Sequence, residues 1–333
     1  MRDVTVLMIL VIVGSLAFDY INGFHDTANA IATVVSTRVL SPSAAIIMAA
    51  VLNFGGAMVA THVAKTIASD IVSQGKATEL IVLAAVLSAI AWNIITWLYG
   101  IPSSSSHALI GGLVGAAVAR GGFEMVTWKG LLGKVIYPLF GSPIVGFIVA
   151  FLIMTLITKL TAHRHPRKMS EFFRKAQLIS SALMAFSHGQ NDAQKSMGII
   201  TLALVSNGVI AKAEVPLWVK VACATTMALG TAAGGWRIIK TLGHKIIRLD
   251  PVHGFAAETA GAAVIMTASH YGMPISTTHA VTASIFGVGS SKRLSAVRWQ
   301  VAKNVLVAWV VTIPATAFVG ATLYWLLSLL GWR

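Results

Sequence analysis

Four consecutive hydroxyls, Ser103 to Ser106, follow a Gly-x-Pro turn and run into His107. The full segment is Tyr99-Gly100-Ile101-Pro102-Ser103-Ser104-Ser105-Ser106-His107-Ala108, and it returns as Tyr271-Gly272-Met273-Pro274-Ile275-Ser276-Thr277-Thr278-His279-Ala280. Proline forbids a regular helix through either copy, so each reads as a re-entrant tip leading into a helix, with one net crossing. A helix start offers free backbone N–H groups and the positive end of a dipole. With the hydroxyls of Ser104, Ser105, Ser106, Ser276, Thr277 and Thr278 added, the tips have the donors to surround a tetrahedral oxyanion. A single Ser-rich turn is more simply a cap or a close-packing site between helices. Two equivalent turns favour the ligand.

A second pair of motifs carries the ionisable groups. Gly23-Phe24-His25-Asp26-Thr27-Ala28-Asn29-Ala30 aligns with Gly189-Gln190-Asn191-Asp192-Ala193-Gln194-Lys195-Ser196, pairing Asp26 with Asp192 and Asn29 with Lys195. A carboxylate at mid-membrane costs roughly 2.5–3.5 kcal/mol on insertion scales. Asp26 and Asp192, with amides and imidazoles beside them, suit a hard monovalent cation or a proton. The plainer alternative is that they cap broken helices or pair with each other. His25, Asn191, Asn93, His107, His279 and Glu258 are further polar candidates within or beside the same apolar segments. No nucleophile–base arrangement and no nucleotide loop stands out, so no enzyme, resident metal or cofactor is expected. The lone Cys223 supports neither a disulfide nor a metal site.

These groups need a membrane to hold them. Mean hydropathy is +0.79 and only 11% of the residues are charged, and runs such as Ile81–Leu98, Ile144–Ile157 and Val305–Leu330 are long enough to span a bilayer. The chain is expected to be an all-α polytopic membrane protein. The alternating strands of an outer-membrane barrel are missing. A net charge of +14 invites a nucleic-acid reading. The basic residues, however, cluster in short loops, as topology demands, so no nucleic acid is expected and the partner surface is lipid.

Spans are predicted near 4–37, 43–64, 79–98, 101–120 and 130–158, then near 177–206, 217–236, 255–271, 273–290 and 299–330. The order acidic motif, glycine pair (Gly55-Gly56 with Gly234-Gly235), hydroxyl motif, tryptophan (Trp128 with Trp299) and proline (Pro143 with Pro314) repeats. That order divides the chain into a first repeat at 1–158, a basic cytoplasmic linker at 159–176 and a second repeat at 177–333. The first and sixth spans are expected to break at their acidic motifs. Five crossings per half make the repeats inverted. Lys159–Lys175, Arg237–Arg248 and Lys292–Arg298 then face the cytoplasm, with both termini outside. The loops left outside carry mixed charge, Lys65, Asp70, Lys76 and Glu79 among it.

At Asn22-Gly23-Phe24-His25-Asp26-Thr27-Ala28-Asn29-Ala30, Phe186-Ser187-His188-Gly189-Gln190-Asn191-Asp192-Ala193-Gln194-Lys195 and Pro274-Ile275-Ser276-Thr277-Thr278-His279 the chain resembles the PiT family of inorganic phosphate transporters, in its bacterial low-affinity form. The resemblance covers nearly the whole chain. It implies phosphate held by Ser104, Ser105, Ser106, Ser276, Thr277 and Thr278, with the coupling ion at Asp26, Asn29, Asp192 and Gln194. His25-Asp26, in place of Asn-Asp, resembles the proton-coupled branch, which implies H+ as the coupling ion and phosphate carried as a neutral complex with a divalent metal. Sodium coupling and sulfate carriage remain as alternatives on the same fold. An anion channel is the reading from a different class, and the buried carboxylates oppose it. The implied location is the bacterial cytoplasmic membrane. A homodimer is compatible with the resemblance.

Overall fold

A computed structural model describes residues 6–72 and 77–332 of the chain. The start of the 4–37 span and Lys76 lie outside the described residues. Helices make up nearly all of the rest, and among the described residues there is no strand beyond an isolated bridge between Val72 and Val126.

The first half runs α1 (Val6–Ser36), α2 (Pro42–Val59), α3 (His62–Ser69), α4 (Glu79–Tyr99), α5 (Ser105–Gly121), the single turn α6 (Trp128–Gly130) and α7 (Tyr137–Thr161). The second runs α8 (Pro166–Ser206), α9 (Leu217–Ala233), α10 (Trp236–Lys240), α11 (Pro251–His270), α12 (Thr277–Lys292) and α13 (Trp299–Leu329). Local details recur with the order. Trp128 Nε1 donates to Phe123 O at 3.0 Å, and Trp299 Nε1 donates to Leu294 O at 2.9 Å. Pro143 and Pro314 both lie inside their helices.

The packing exchanges partners between halves. α2 lies on α8 and α9 on α1; α5 lies on α13 and α12 on α7. Swapping the halves maps this set of contacts onto itself, as a twofold relation requires. By length and composition, five of the described helices are long and apolar enough to cross a membrane. Their outer faces are apolar: Ile144, Ile148 and Leu152 of α7 are exposed one turn apart.

Two expectations need correction. The acidic motifs do not break their helices, since α1 and α8 are continuous over 31 and 41 residues. Neither motif contains proline, and Gly23 and Gly189 serve close approach, not a turn. A Cβ at Gly23 would press on Met227 O, and one at Gly189 on the Asn53 backbone. The breaks fall instead between α2 and α3, at Ala60–Thr61, and between α9 and α10, at Gly234–Gly235. The glycine pairing also shifts. Gly56 faces the Phe186 carbonyl just as Gly230 faces that of Tyr20, so Gly230 is the counterpart of Gly56 and the Gly234-Gly235 pair sits at a break. Between α7 and α8 the chain leaves the helix only at 162–165.

The basic segments gather at one end. Met154, Thr161, Pro166, Ser170, Asp250 and Val252 line one cavity, and Arg298 N donates to Ile246 O. Cysteines placed singly at the exposed Ser170 and Ser295, in a background lacking the buried Cys223, are expected to resist a membrane-impermeant thiol reagent in intact cells and to react in inside-out vesicles. Labelling of either from outside would break the shared cytoplasmic side.

Candidate functional site

Each hydroxyl tip is built by the same local rules. α4 ends on Gly100 at φ 64°, and the end of α11 is followed by Gly272 at φ 66°, both in the left-handed region that glycine enters without strain. Proline then holds the chain extended. Ser104 Oγ accepts from His107 N at 3.2 Å, and Ser276 Oγ accepts from His279 N at 3.2 Å. Those two serines are therefore N-caps of α5 and α12. Ser106 Oγ donates to Ile275 O at 2.9 Å, so one tip touches the other.

The acidic motifs reach the same place. Asn29 Nδ2 donates to Thr278 Oγ1 at 2.8 Å and lies 3.3 Å from Thr277 Oγ1. Thr277 Oγ1 donates to Asp192 Oδ2 at 3.2 Å. Asp192 is fully buried between Lys195, whose Nζ lies 2.5 Å from Oδ1, and His188, whose Nε2 lies 3.3 Å from Oδ2. On the other side His25 Nδ1 lies 2.6 Å from Asp26 Oδ1, and His25 Nε2 lies 3.0 Å from Thr96 Oγ1. Ser103 Oγ donates to Thr96 Oγ1 at 2.9 Å, joining the first tip to this chain of contacts. One ligand atom each from Asp26, His188 and Asp192 fall within 4.8 Å of one another, a donor set that suits a cation.

Several buried polar atoms here have no hydrogen-bond partner among the described residues: Ser105 Oγ, Asn29 Oδ1, Asn191 Oδ1, and both polar side-chain atoms of Asn22 and Asn93. The rings of His107 and His279 share this property and lie 4.9 Å apart between centroids, with His279 stacked on Trp309 at 3.8 Å. Buried polar groups are normally satisfied by protein, water or a bound ligand.

Three candidates make their hydrogen bonds away from the tip hydroxyls. Gln194 Oε1 accepts from Val63 N and Ala64 N at 2.8 and 3.3 Å, capping the start of α3. Asn191 Nδ2 donates to Ser269 Oγ at 2.8 Å, behind the second tip. Glu258 sits in its own cluster, accepting from Thr33 Oγ1 at 2.6 Å, Gln177 Nε2 at 3.0 Å and Ser180 Oγ at 2.5 Å. Sequence reasoning missed Thr96, and it missed Asn53, which meets His188 Nδ1 at 3.2 Å and donates to Thr231 Oγ1 at 2.8 Å. Lone polar residues at a spacing that faces the centre are the only signal they leave.

A family model described as the phosphate transporter family matches residues 22–320, which takes in both acidic motifs and both tips. The chain belongs to the phosphate transporter family. It is a membrane transporter and not an enzyme. Relatives named "probable low-affinity inorganic phosphate transporter" include one from Bacillus subtilis, 49% identical over 328 residues and covering 98% of each chain. Another, from Rhizobium meliloti, is 47% identical over 320 residues and covers 96% of each. Among solved structures, one titled "The sodium-dependent phosphate transporter" superposes with a TM-score of 0.90 at 26% identity, covering 98% of this chain and 100% of that one.

Proposed function

We propose that this phosphate transporter is a secondary symporter that takes up inorganic phosphate with protons across the bacterial cytoplasmic membrane. The observation that carries the reading is the buried network in which Asn29 and Asp192, one from each acidic motif, both reach Thr277 of the second tip. Such a network lets occupancy by an anion at the hydroxyls alter the surroundings of a carboxylate, which is what coupling requires. Phosphate retains a proton at neutral pH and can donate to a carboxylate, whereas sulfate cannot. His25 lies against Asp26, which places an imidazole, a side chain able to carry a proton, beside a carboxylate.

An inverted arrangement of the halves belongs to this reading. Arg237 Nη1 reaches Leu98 O, and Thr241 Oγ1 reaches Gly100 O, at the first tip, whereas Lys134 Nζ reaches Tyr271 O at the second. The two tips thus meet different loops, which supports entry from opposite sides. The cluster of Asp26, His188 and Asp192 supports a cation travelling with the phosphate, as a divalent metal in a neutral complex. Its donor set, with the likeness to the structure titled as sodium-dependent, also favours sodium as a second reading.

Uptake of labelled phosphate into proteoliposomes decides between them. Accumulation driven by an inward proton gradient, resistant to sulfate and indifferent to sodium, is the expected result. Dependence on sodium at clamped pH establishes the second reading. Single substitutions of the tips test the anion site: Ser105→Ala and Thr277→Ala are each expected to weaken phosphate binding by roughly 1.5–3 kcal/mol, as for a lost hydrogen bond to a charged partner. Unchanged affinity in both would leave these hydroxyls only a packing role.

A further inference from the structure

The two acidic motifs are equivalent in sequence and unequal in charge. Asn29 of the first half corresponds to Lys195 of the second. Lys195 is among the largest fully buried side chains, and its Nζ lies 2.5 Å from Asp192 Oδ1. Asp26 has no ammonium in the matching position, since Asn29 spends its Nδ2 on Thr277 and Thr278. One turn earlier on α8, His188 contacts the other Asp192 oxygen. A buried ammonium held by its own helix is a monovalent cation that cannot leave. Replacing it with a neutral amide would give the second half the composition of the first, a carboxylate and an amide able to coordinate a free cation.

We propose that Lys195 is a tethered substitute for a coupling cation at Asp192, so that only the Asp26 side exchanges its ion during transport. This deepens the coupling reading above and rests on it. The ammonium neutralises Asp192 throughout the cycle, whereas Asp26 is met by His25 and the buried Asp19 by the hydroxyls of Ser196 and Thr226. The ammonium occupies Asp192 Oδ1, where a free sodium ion would otherwise sit, and leaves Oδ2 facing His188 and Thr277. A lysine serving only to support the fold would leave ion dependence unchanged when replaced.

The experiment compares wild type with Lys195→Asn and Lys195→Arg in proteoliposomes at clamped pH, with sodium or choline as the external cation. Wild type and Lys195→Arg are expected to ignore the exchange. Lys195→Asn is expected to lose phosphate uptake in choline by about tenfold or more and to recover it in sodium, the scale of one lost charge-assisted contact. Purified Lys195→Asn is also expected to melt at a higher temperature in sodium than in choline, with wild type indifferent. This reading needs no transport, so it tests the lysine separately. Sodium stimulation of wild type would replace the proton reading at Asp26; a Lys195→Asn protein no more responsive to sodium than wild type in both assays overturns the proposal. Should the asparagine variant fail to fold in choline, recovery of folded protein when sodium is present throughout purification supports the proposal, and failure in both salts overturns it. Wild-type liposomes that accumulate no phosphate under any gradient would defeat the symport reading itself, and the melting comparison would still report on Lys195.

Discussion

Asp26→Asn is expected to reduce gradient-driven phosphate uptake to the level of empty liposomes while the protein remains folded and membrane-inserted. The substitution keeps the shape of the side chain and its contact distance to His25 and removes only the charge and the capacity to carry a proton. Asp26 is buried, touches an imidazole at 2.6 Å and lies within reach of His188 and Asp192. Asp192→Asn is expected to abolish uptake as well, with an added cost. It strands the Lys195 ammonium in the protein interior, and removing one partner of a buried pair typically costs about 3–5 kcal/mol. Its effect on folding is therefore separable by Asp192→Asn with Lys195→Met, which removes both charges. Concentrative uptake at the normal rate in Asp26→Asn would end the assignment of coupling to this residue, and the melting temperature of each variant identifies any contribution from misfolding.

Gly189→Val is expected to prevent recovery of folded protein. α8 crosses α2 so closely that a Cβ at Gly189 would collide with the Asn53 backbone, and one at Gly56 with the Phe186 carbonyl. Backbone cannot move aside as a flexible side chain can, so the helices must separate. Separation would also draw His188 and Asp192, on the same stretch of α8, away from their partners. Gly55→Val provides the matched control, because a Cβ there meets nothing within 4 Å. Detergent-solubilised, fluorescently tagged protein should elute as a single sharp peak for Gly55→Val and as aggregate for Gly189→Val. Equal profiles would show that the crossing has more room than its geometry implies.

The paired motifs were legible because duplication writes the same chemistry twice, and Gly-x-Pro before a hydroxyl run has few structural outcomes. The fate of the acidic motifs was harder to read. Polar residues inside a long span look the same whether they line a broken helix or face a polar neighbour on a continuous one. Gly23 and Gly189 read equally as hinges or as contact points, and only the facing helix decides. Thr96, Asn53 and Thr231 left no motif, since each is a single polar residue in apolar sequence whose importance depends on what lies opposite. The cluster around Glu258 joins α1, α8 and α11 through Thr33, Ser180 and Gln177. Its members are far apart in the chain and lack a counterpart in the other half, so repetition could not reveal them.

The exchange of helices between halves has a consequence for how the protein is made. Gly111 and Gly115 of α5 fit against the backbone of Ile313 and Ala317 in α13, and Gly320 of α13 fits against Gly112. When Thr161 leaves the ribosome, α5 is complete while its partner is still untranslated. The nascent first half must therefore wait in the membrane with a glycine-lined groove facing lipid or the insertion machinery. It closes only after the final helix arrives. A chain stopped before Trp299 would strand α5 in that state. The same half supplied with 162–333 as a separate polypeptide would retain a route to assembly, because the decisive contacts are between chain segments and not across the loop that joins them.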